Sequence, residues 1–144
     1  MLLWMVLVGC AEDPDNFLRG SMTTTYGLEF NDVRSRLYDS ELSIEYLYSD
    51  DETPETVTLR VTLDNAQLAS NTVYDLLSMG NVGRSDVYGG ALPDMNEGEL
   101  TLELFEETDG SDISGRFQAR FVTPDETQLA LRGAFLTTLE RVEL

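Results

Sequence analysis

The sequence lacks two residue types on which much enzyme chemistry depends. Its 144 residues include no histidine, and all nine basic residues are arginine, so lysine is absent as well. Without an imidazole the chain cannot build Ser-His-Asp or Cys-His catalysis, and without lysine it cannot form a Schiff base or a P-loop. Carboxylates, hydroxyl groups and all-oxygen metal sites are the chemistry that remains. We therefore predict a protein that is not an enzyme.

Basic charge is also scarce. Twenty-seven acidic residues outnumber the nine arginines and give a formal net charge of -18. Because this charge repels phosphate backbones and the arginines are scattered along the chain, we expect no nucleic-acid partner. The same charge opposes adsorption to anionic lipid headgroups, so attachment to a membrane requires an apolar or covalent anchor.

The single cysteine, Cys10, stands where such an anchor is expected. It ends an uncharged apolar run, MLLWMVLVGC, which is too short to span a membrane but has the length of the apolar part of a secretory signal. The segment Leu7-Val8-Gly9-Cys10 resembles the lipobox of bacterial lipoproteins. The resemblance implies that residues 1–9 are a cleaved signal segment and that Cys10 carries the lipid. Residues 10–19 would then form an acidic tether, and residues 20–144 the folded domain.

The same resemblance implies a cellular location. In lipoproteins of Gram-negative bacteria an Asp directly after the cysteine often marks retention in the inner membrane, and this chain has Ala11 there. We therefore expect a lipid anchor in the outer membrane, on its periplasmic or cell-surface side. The alternative is a cytoplasmic acidic protein in which residues 1–10 form a buried strand and Cys10 is an unmodified thiol.

The rest of the chain alternates apolar and polar residues, which is the pattern of β-strands. The strands expected on this basis are residues 22–30, 42–48, 56–63, 99–104, 115–121 and 128–136. The second and third are joined by a polar loop and predict an antiparallel pair. The last three predict a meander, with turns at Asp109-Gly110 and Thr123-Pro124.

Residues 71–80 allow two interpretations. Asn71 and Gly80 have the character of a helix N-cap and a helix end, whereas the β-branched and aromatic residues between them favour a strand. We favour a strand and loop, followed by another short strand at Val87-Tyr88. Seven or eight short strands predict an all-β fold: a single antiparallel β-sandwich, with a small up-and-down β-barrel as the alternative.

The C-terminal strands carry a recognisable pattern. Gly115-x-Phe117-x-Ala119 followed by Leu131-x-Gly133-x-Phe135 resembles the closing hairpin of small β-sandwich lipoproteins of unassigned role. Arg116, Arg120 and Arg132 are expected on the outer face of this hairpin, paired with acids across the strands. The expected core residues of this region are Phe117, Phe121, Leu129, Leu131 and Phe135.

Calcium is the one cofactor that the composition leaves open, because acidic loops supply the oxygen ligands that it prefers. None of these loops has the EF-hand spacing. The candidate ligands are Asp50, Asp51, Glu52, Asp94, Asn96, Asp109 and Asp112. We identify no catalytic residue, because 27 carboxylates make chance acid pairs uninformative.

These observations predict a membrane-anchored, non-catalytic lipoprotein of the bacterial cell envelope with a binding, adhesion or structural role. The membrane is its expected partner, through the lipid, and the sequence specifies no protein or glycan ligand. Two other functions remain open. A β-barrel carrier of a small apolar ligand requires an enclosed apolar cavity, and a carboxylate-based hydrolase requires two acids with perturbed pKa values in a cleft.

Overall fold

A computed structural model describes residues 15–84 and 91–143. In this part of the chain the strands are β1 (Phe17–Arg19), β2 (Asp32–Leu37), β3 (Glu41–Tyr48), β4 (Thr56–Asp64), β5 (Thr72–Asp75), β6 (Gly80–Gly83), β7 (Asp94–Leu104), β8 (Asp112–Val122) and β9 (Gln128–Arg141). Two short helices accompany them, α1 (Ser21–Thr25) and α2 (Leu76–Met79). The predicted all-β class is confirmed.

The nine described strands form one sheet that curls toward a barrel. Its order is β5-β7-β8-β9-β2-β3-β4-β6, and β1 pairs with β9. Neighbouring strands are antiparallel except β2 and β9, which are parallel. The two ends of the sheet, β5 and β6, are consecutive in the chain and joined by α2, so the sheet nearly closes on itself. The barrel alternative therefore describes this arrangement better than two separate sheets do.

Each half of the sheet contains a meander. The first is β2-β3-β4, which includes the antiparallel pair predicted from residues 42–48 and 56–63. The second is β7-β8-β9, the C-terminal meander predicted from the sequence. The parallel contact between β2 and β9 joins the two meanders into one sheet.

Apolar side chains from both halves of the sheet fill the interior. Tyr46 on β3 is fully buried, and its ring centroid lies 5.0 Å from that of Phe30 and 6.2 Å from that of Phe117. The Tyr46 hydroxyl donates a hydrogen bond of 2.6 Å to the carbonyl oxygen of Ala134 on β9. Burial raises the pKa of this phenol. One side chain thus connects the two meanders through the core.

Two glycines make room for phenylalanine rings in this core. Gly115 lies opposite Phe135, and Phe117 lies opposite Gly133, in the register of β8 and β9. A Cβ atom at Gly115 would lie 2.7 Å from the ring of Phe135, and one at Gly133 would overlap the ring of Phe117. The Gly-x-Phe spacing on both strands therefore places the glycine of each strand opposite the phenylalanine of the other. All five core residues predicted for this region are buried.

The N-terminal part differs from the prediction. Residues 22–30 were expected to form a strand, but Ser21–Thr25 form α1 and Met22 is fully buried. The Thr25 hydroxyl donates to the carbonyl oxygen of Ser21 at 2.8 Å, and such local bonds compete with strand pairing. The strand in this region is β2, which the sequence interpretation missed although Val33, Ser35 and Leu37 share its buried face.

The folded domain also begins earlier than expected. The tether was predicted over residues 10–19, but Phe17–Arg19 pair with β9 as β1. Three residues of the predicted tether are therefore part of the sheet.

Residues 71–80 combine both interpretations of that segment. Thr72–Asp75 form β5, and Leu76–Met79 form α2. The N-cap is Asp75, whose carboxylate accepts a bond of 3.2 Å from the Leu77 backbone N–H, instead of Asn71. The short strand predicted at Val87-Tyr88 lies outside the described residues.

Candidate functional site

The structure keeps the three predicted sets of calcium ligands apart. Cys10 lies outside the described residues. The calcium candidates occupy three separate places: Asp50, Asp51 and Glu52 between β3 and β4, Asp94 and Asn96 on β7, and Asp109 and Asp112 in the turn before β8 and at its first position. Within residues 15–84 and 91–143, no group of three or more acidic side chains is placed to hold a metal ion.

Two of these carboxylates have partners within the fold. Asp50 accepts hydrogen bonds from the backbone N–H groups of Glu52 and Thr53, at 2.9 and 2.5 Å. The side chain of Thr53 and these backbone donors hold the pKa of Asp50 below its usual value. Asp109 accepts a bond of 2.8 Å from the backbone N–H of Arg141. Both aspartates therefore contribute to loop structure.

A concave surface lies on the outside of the sheet, over β5, β7, β8, β9 and β1. It consists of three adjoining hollows of about 500, 220 and 170 Å³. The first and second hollows share Glu99, Gln118 and Arg132, and the second and third share Arg116. We call this continuous surface the outer trough.

Two arginines of the outer trough have acidic partners on the neighbouring strand. Arg120 on β8 lies opposite Glu97 on β7, and their charged atoms are 3.9 Å apart. Arg116 on β8 pairs with Glu103 on β7 at 3.1 Å. These exposed pairs each contribute less than about 1 kcal/mol to stability. They confirm that Arg116 and Arg120 face outward and pair with acids.

Between these two pairs, one row of residues keeps its opposite charges apart. The strand register places Asp75, Glu99, Gln118, Arg132 and Arg19 side by side on five adjacent strands. We call these five residues the central row. Its carboxylates lie on β5 and β7, its neutral amide on β8 and its guanidinium groups on β9 and β1.

The neutral residue in the middle separates the charges of the central row. Gln118 Nε2 donates a hydrogen bond of 2.9 Å to Glu99 Oε1. Arg132, which was expected to pair with an acid, makes no hydrogen bond or ion pair with any residue that the structure describes. Because adjacent strands lie about 4.8 Å apart, the Cα atoms of Glu99 and Arg132 are separated by about 10 Å.

Exposed apolar side chains lie at or next to both ends of the outer trough. Val73 lines the first hollow and is 59% exposed. At the other end Leu104 and Leu136 lie on either side of Ser114 and are 46% and 40% exposed. Asp15, the first residue that the structure describes, lines the third hollow.

Charges on the outside of the first meander are arranged differently. The Glu45 side chain on β3 is only 3% exposed, and its Oε2 atom lies 3.3 Å from Arg34 on β2 and 3.2 Å from Arg60 on β4. Both arginines are directly opposite Glu45 in the strand register. Arg34 also contacts Glu55 at 3.3 Å. We call Glu45, Arg34 and Arg60 the buried triad, after the buried acid that the two arginines share.

Sequence reasoning located several of these charges but not the central row. Alternation within β8 and β9 places Arg116, Arg120 and Arg132 on one face, as expected. Arg19 was assigned to the tether, and Asp75 lay in the segment of ambiguous structure. The row exists only because both short strands join the sheet next to the long ones.

The two helices in the described part of the chain have five and four residues, and none there reaches the about 20 apolar residues that a membrane-spanning helix needs. Comparison with protein families, with curated proteins and with solved structures finds no match to this chain.

Proposed function

We propose that this chain is a lipid-anchored protein of the bacterial outer membrane that binds a ligand in the outer trough and catalyses no reaction. The lipobox-like segment Leu7-Val8-Gly9-Cys10 supports the anchor. The observation that carries the binding role is the outer trough itself. Its largest hollow has a volume of about 500 Å³, which falls within the about 300–1,000 Å³ of small-molecule sites, and Glu99 and Arg132 line it without pairing with each other.

The position of the trough is consistent with a lipid anchor. Asp15 lines its third hollow and follows Cys10 by five positions in the sequence. Since an extended chain spans at most about 3.6 Å per residue, a lipid on Cys10 would lie within about 18 Å of this end. The anchor would hold the trough near the membrane surface, while the net charge of -18 opposes adsorption of the domain onto anionic headgroups.

The packed interior supports binding on the outside of the sheet over carriage of an apolar ligand inside it. Tyr46, Phe121 and Phe135 are among the fully buried side chains that fill the space between the two meanders. An apolar carrier would need an enclosed cavity in that space. The three hollows of the trough instead lie on the outer surface.

Intact mass spectrometry tests the anchor. The full-length chain is produced in a Gram-negative host, the inner and outer membranes are separated, and the mass is measured in each fraction. We expect a protein in the outer membrane that lacks residues 1–9 and carries diacylglycerol on Cys10. The Cys10→Ser variant, which has no thiol to modify, should keep the unprocessed mass.

A soluble wild-type protein that retains Met1 and a free thiol would contradict the anchor. A lipidated protein found in the inner membrane would keep the anchor but reject the outer-membrane location. The binding role is tested separately, by titration with small ligands.

A further inference from the structure

We propose that the ligand of the outer trough is a short zwitterionic peptide of about three residues. It lies extended across the strands, with its amino group at Glu99 and its carboxylate at Arg132. This inference rests on the proposed binding role of the trough and adds the chemical class of the ligand.

The carboxylate end of the ligand follows from Arg132. Acidic residues outnumber arginines by 27 to 9 in this chain, yet Arg132 has no acidic partner among the described residues. Its neighbours Arg116 and Arg120 each have one. A guanidinium group presents a planar fork of N–H donors that matches a carboxylate. A ligand carboxylate therefore fits the position that no side chain of the described protein fills.

The position of the ligand's amino group is inferred from the two acids of the central row. Glu99 has a neutral partner, the amide of Gln118, so its charge is not compensated. Asp75 lies next to Glu99 and adds a second negative charge. The Asp75 carboxylate is held in place as the cap of α2 by bonds from the Leu77 N–H and the Ser78 hydroxyl, at 3.2 and 3.0 Å. Two carboxylates on one side of the trough favour an ammonium group there.

The length of the ligand follows from the strand spacing. Glu99 and Arg132 lie two strands apart, which corresponds to about 10 Å between their Cα atoms. An extended peptide advances about 3.3–3.6 Å per residue, so about three residues separate two charged ends by this distance. When the side chains of Glu99 and Arg132 both project straight out from the sheet, a single amino acid is too short to reach both, and a much longer peptide places one of its charged ends beyond the row.

The surface around the central row fits small apolar side chains. Val73 on β5 and Ala130 on β9 line the same hollow as Glu99 and Arg132. Neither contributes a charge or a hydrogen-bonding side chain. Trialanine with free ends is therefore a suitable probe, because its side chains are small and its charges lie only at its ends.

Isothermal titration calorimetry of the protein purified from its host, in non-ionic detergent micelles, tests the proposal. The probes are alanine and the peptides of two to five alanines, together with N-acetylated and C-amidated trialanine. We expect trialanine to bind most tightly within the series. Blocking either end should weaken binding about tenfold, which corresponds to about 1.4 kcal/mol.

Two variants assign the ends of the peptide to their partners. In Arg132→Gln, amidation of the carboxylate should no longer change the affinity, because the group that recognises it is gone. In Glu99→Gln, acetylation of the amino group should no longer matter. A variant that merely disturbed the sheet would weaken all probes alike. Arg141→Gln is the matched control, since this arginine lies near Glu107 at 3.9 Å and does not line the trough.

The proposal is overturned if blocked and free trialanine bind equally, or if Arg132→Gln still distinguishes the amidated peptide. Maltotriose, a neutral oligosaccharide, and glutarate, a dicarboxylate, are titrated in parallel. If either binds and depends on Arg132 while trialanine does not bind, the peptide is rejected but the trough remains a binding site. If no probe binds the wild-type protein, the peptide is rejected, and the lipid anchor is judged by the mass measurement alone.

Discussion

The outer surfaces of the two halves of this sheet use the same residue types in opposite ways. In the buried triad, the acid Glu45 is on the middle strand and has an arginine on each side. In the central row, the middle strand carries the neutral Gln118, with acids on one side and arginines on the other. The identity of the middle residue therefore decides whether opposite charges meet or remain apart.

The two arrangements also differ in burial, and therefore in how much their ion pairs contribute to the stability of the fold. The Glu45 side chain is 3% exposed, so its carboxylate has lost most of its contact with water and depends on its two arginines. The charged pairs beside the central row are exposed and contribute little to folding. We infer that the charges of the buried triad serve stability, while Glu99 and Arg132 of the central row are available to a ligand.

The largest expected effect comes from removing the acid of the buried triad. Glu45→Ala leaves Arg34 and Arg60 without their shared partner and should lower the free energy of unfolding by about 2 kcal/mol. Loss of one partner from a fully buried ion pair costs about 3–5 kcal/mol, and the smaller value reflects the 28% and 50% exposure of the two arginines. Urea unfolding measures the change.

The control for this variant lies on the outside of the second meander. Glu103→Ala removes an acid whose pair with Arg116 is exposed at both side chains, so the loss should stay below about 0.5 kcal/mol. An equal loss of unfolding free energy in the two variants would contradict the distinction between the buried triad and the exposed pairs.

A smaller effect is expected at the side chain that joins the two halves. Tyr46→Phe keeps the ring in the core but removes the hydrogen bond to the carbonyl oxygen of Ala134. The variant should lose about 1–2 kcal/mol of stability, because the carbonyl group loses a buried donor. A loss near zero in urea unfolding would show that this bond does not help to hold the second meander to the first.

The same tyrosine makes a prediction about alkaline pH. Burial raises its pKa in the folded state above the value of about 10 in the unfolded chain. Its contribution to stability is therefore complete below about pH 10 and is lost as the pH rises further toward the folded pKa. Stability measured against pH should fall less steeply above about pH 10 in Tyr46→Phe than in the wild type. If stability fell equally steeply with pH in the wild type and in Tyr46→Phe, ionisation of Tyr46 would not be the cause of the fall.

The central row can be converted toward the paired pattern. Gln118→Arg gives Glu99 a charged partner on the adjacent strand, as Glu97 and Glu103 already have. Because the new guanidinium group also lies directly opposite Arg132, their repulsion offsets the pair with Glu99, and we expect stability to change by less than about 0.5 kcal/mol, with a smaller change at high salt. Binding of trialanine should decrease, because the carboxylate for the ligand amine is occupied. A variant that binds as the wild type does would show that Glu99 takes no part in recognition.

The smallest effect concerns a single exposed loop. The Thr53 side chain and two backbone N–H groups lower the pKa of Asp50, so any stabilising contribution is present at neutral pH and is lost as the pH falls through that pKa. NMR titration should find a lower pKa for Asp50 than for an ordinary exposed aspartate. Thr53→Ala should raise it toward the usual value. An unchanged pKa in this variant would contradict the assigned cause.

The sequence by itself determined the class of fold and the C-terminal meander. Alternating apolar residues place Phe117, Leu131 and Phe135 in the core, because side chains of a strand point to opposite faces in turn. The same rule puts Arg116 and Arg120 outside. The lipobox-like segment ending at Cys10 is likewise read from neighbouring residues alone, and its modification stays a prediction.

Only the tertiary structure decided how the strands are ordered and which charges become neighbours. Segment 22–30 looked like a strand, but local hydroxyl bonds and the burial of Met22 favour α1. The central row joins positions 19, 75, 99, 118 and 132, which come from five strands. Alternation fixes the face on which a side chain lies but not the register between strands distant in sequence. That register depends on the packing of the whole core, and so does the trough.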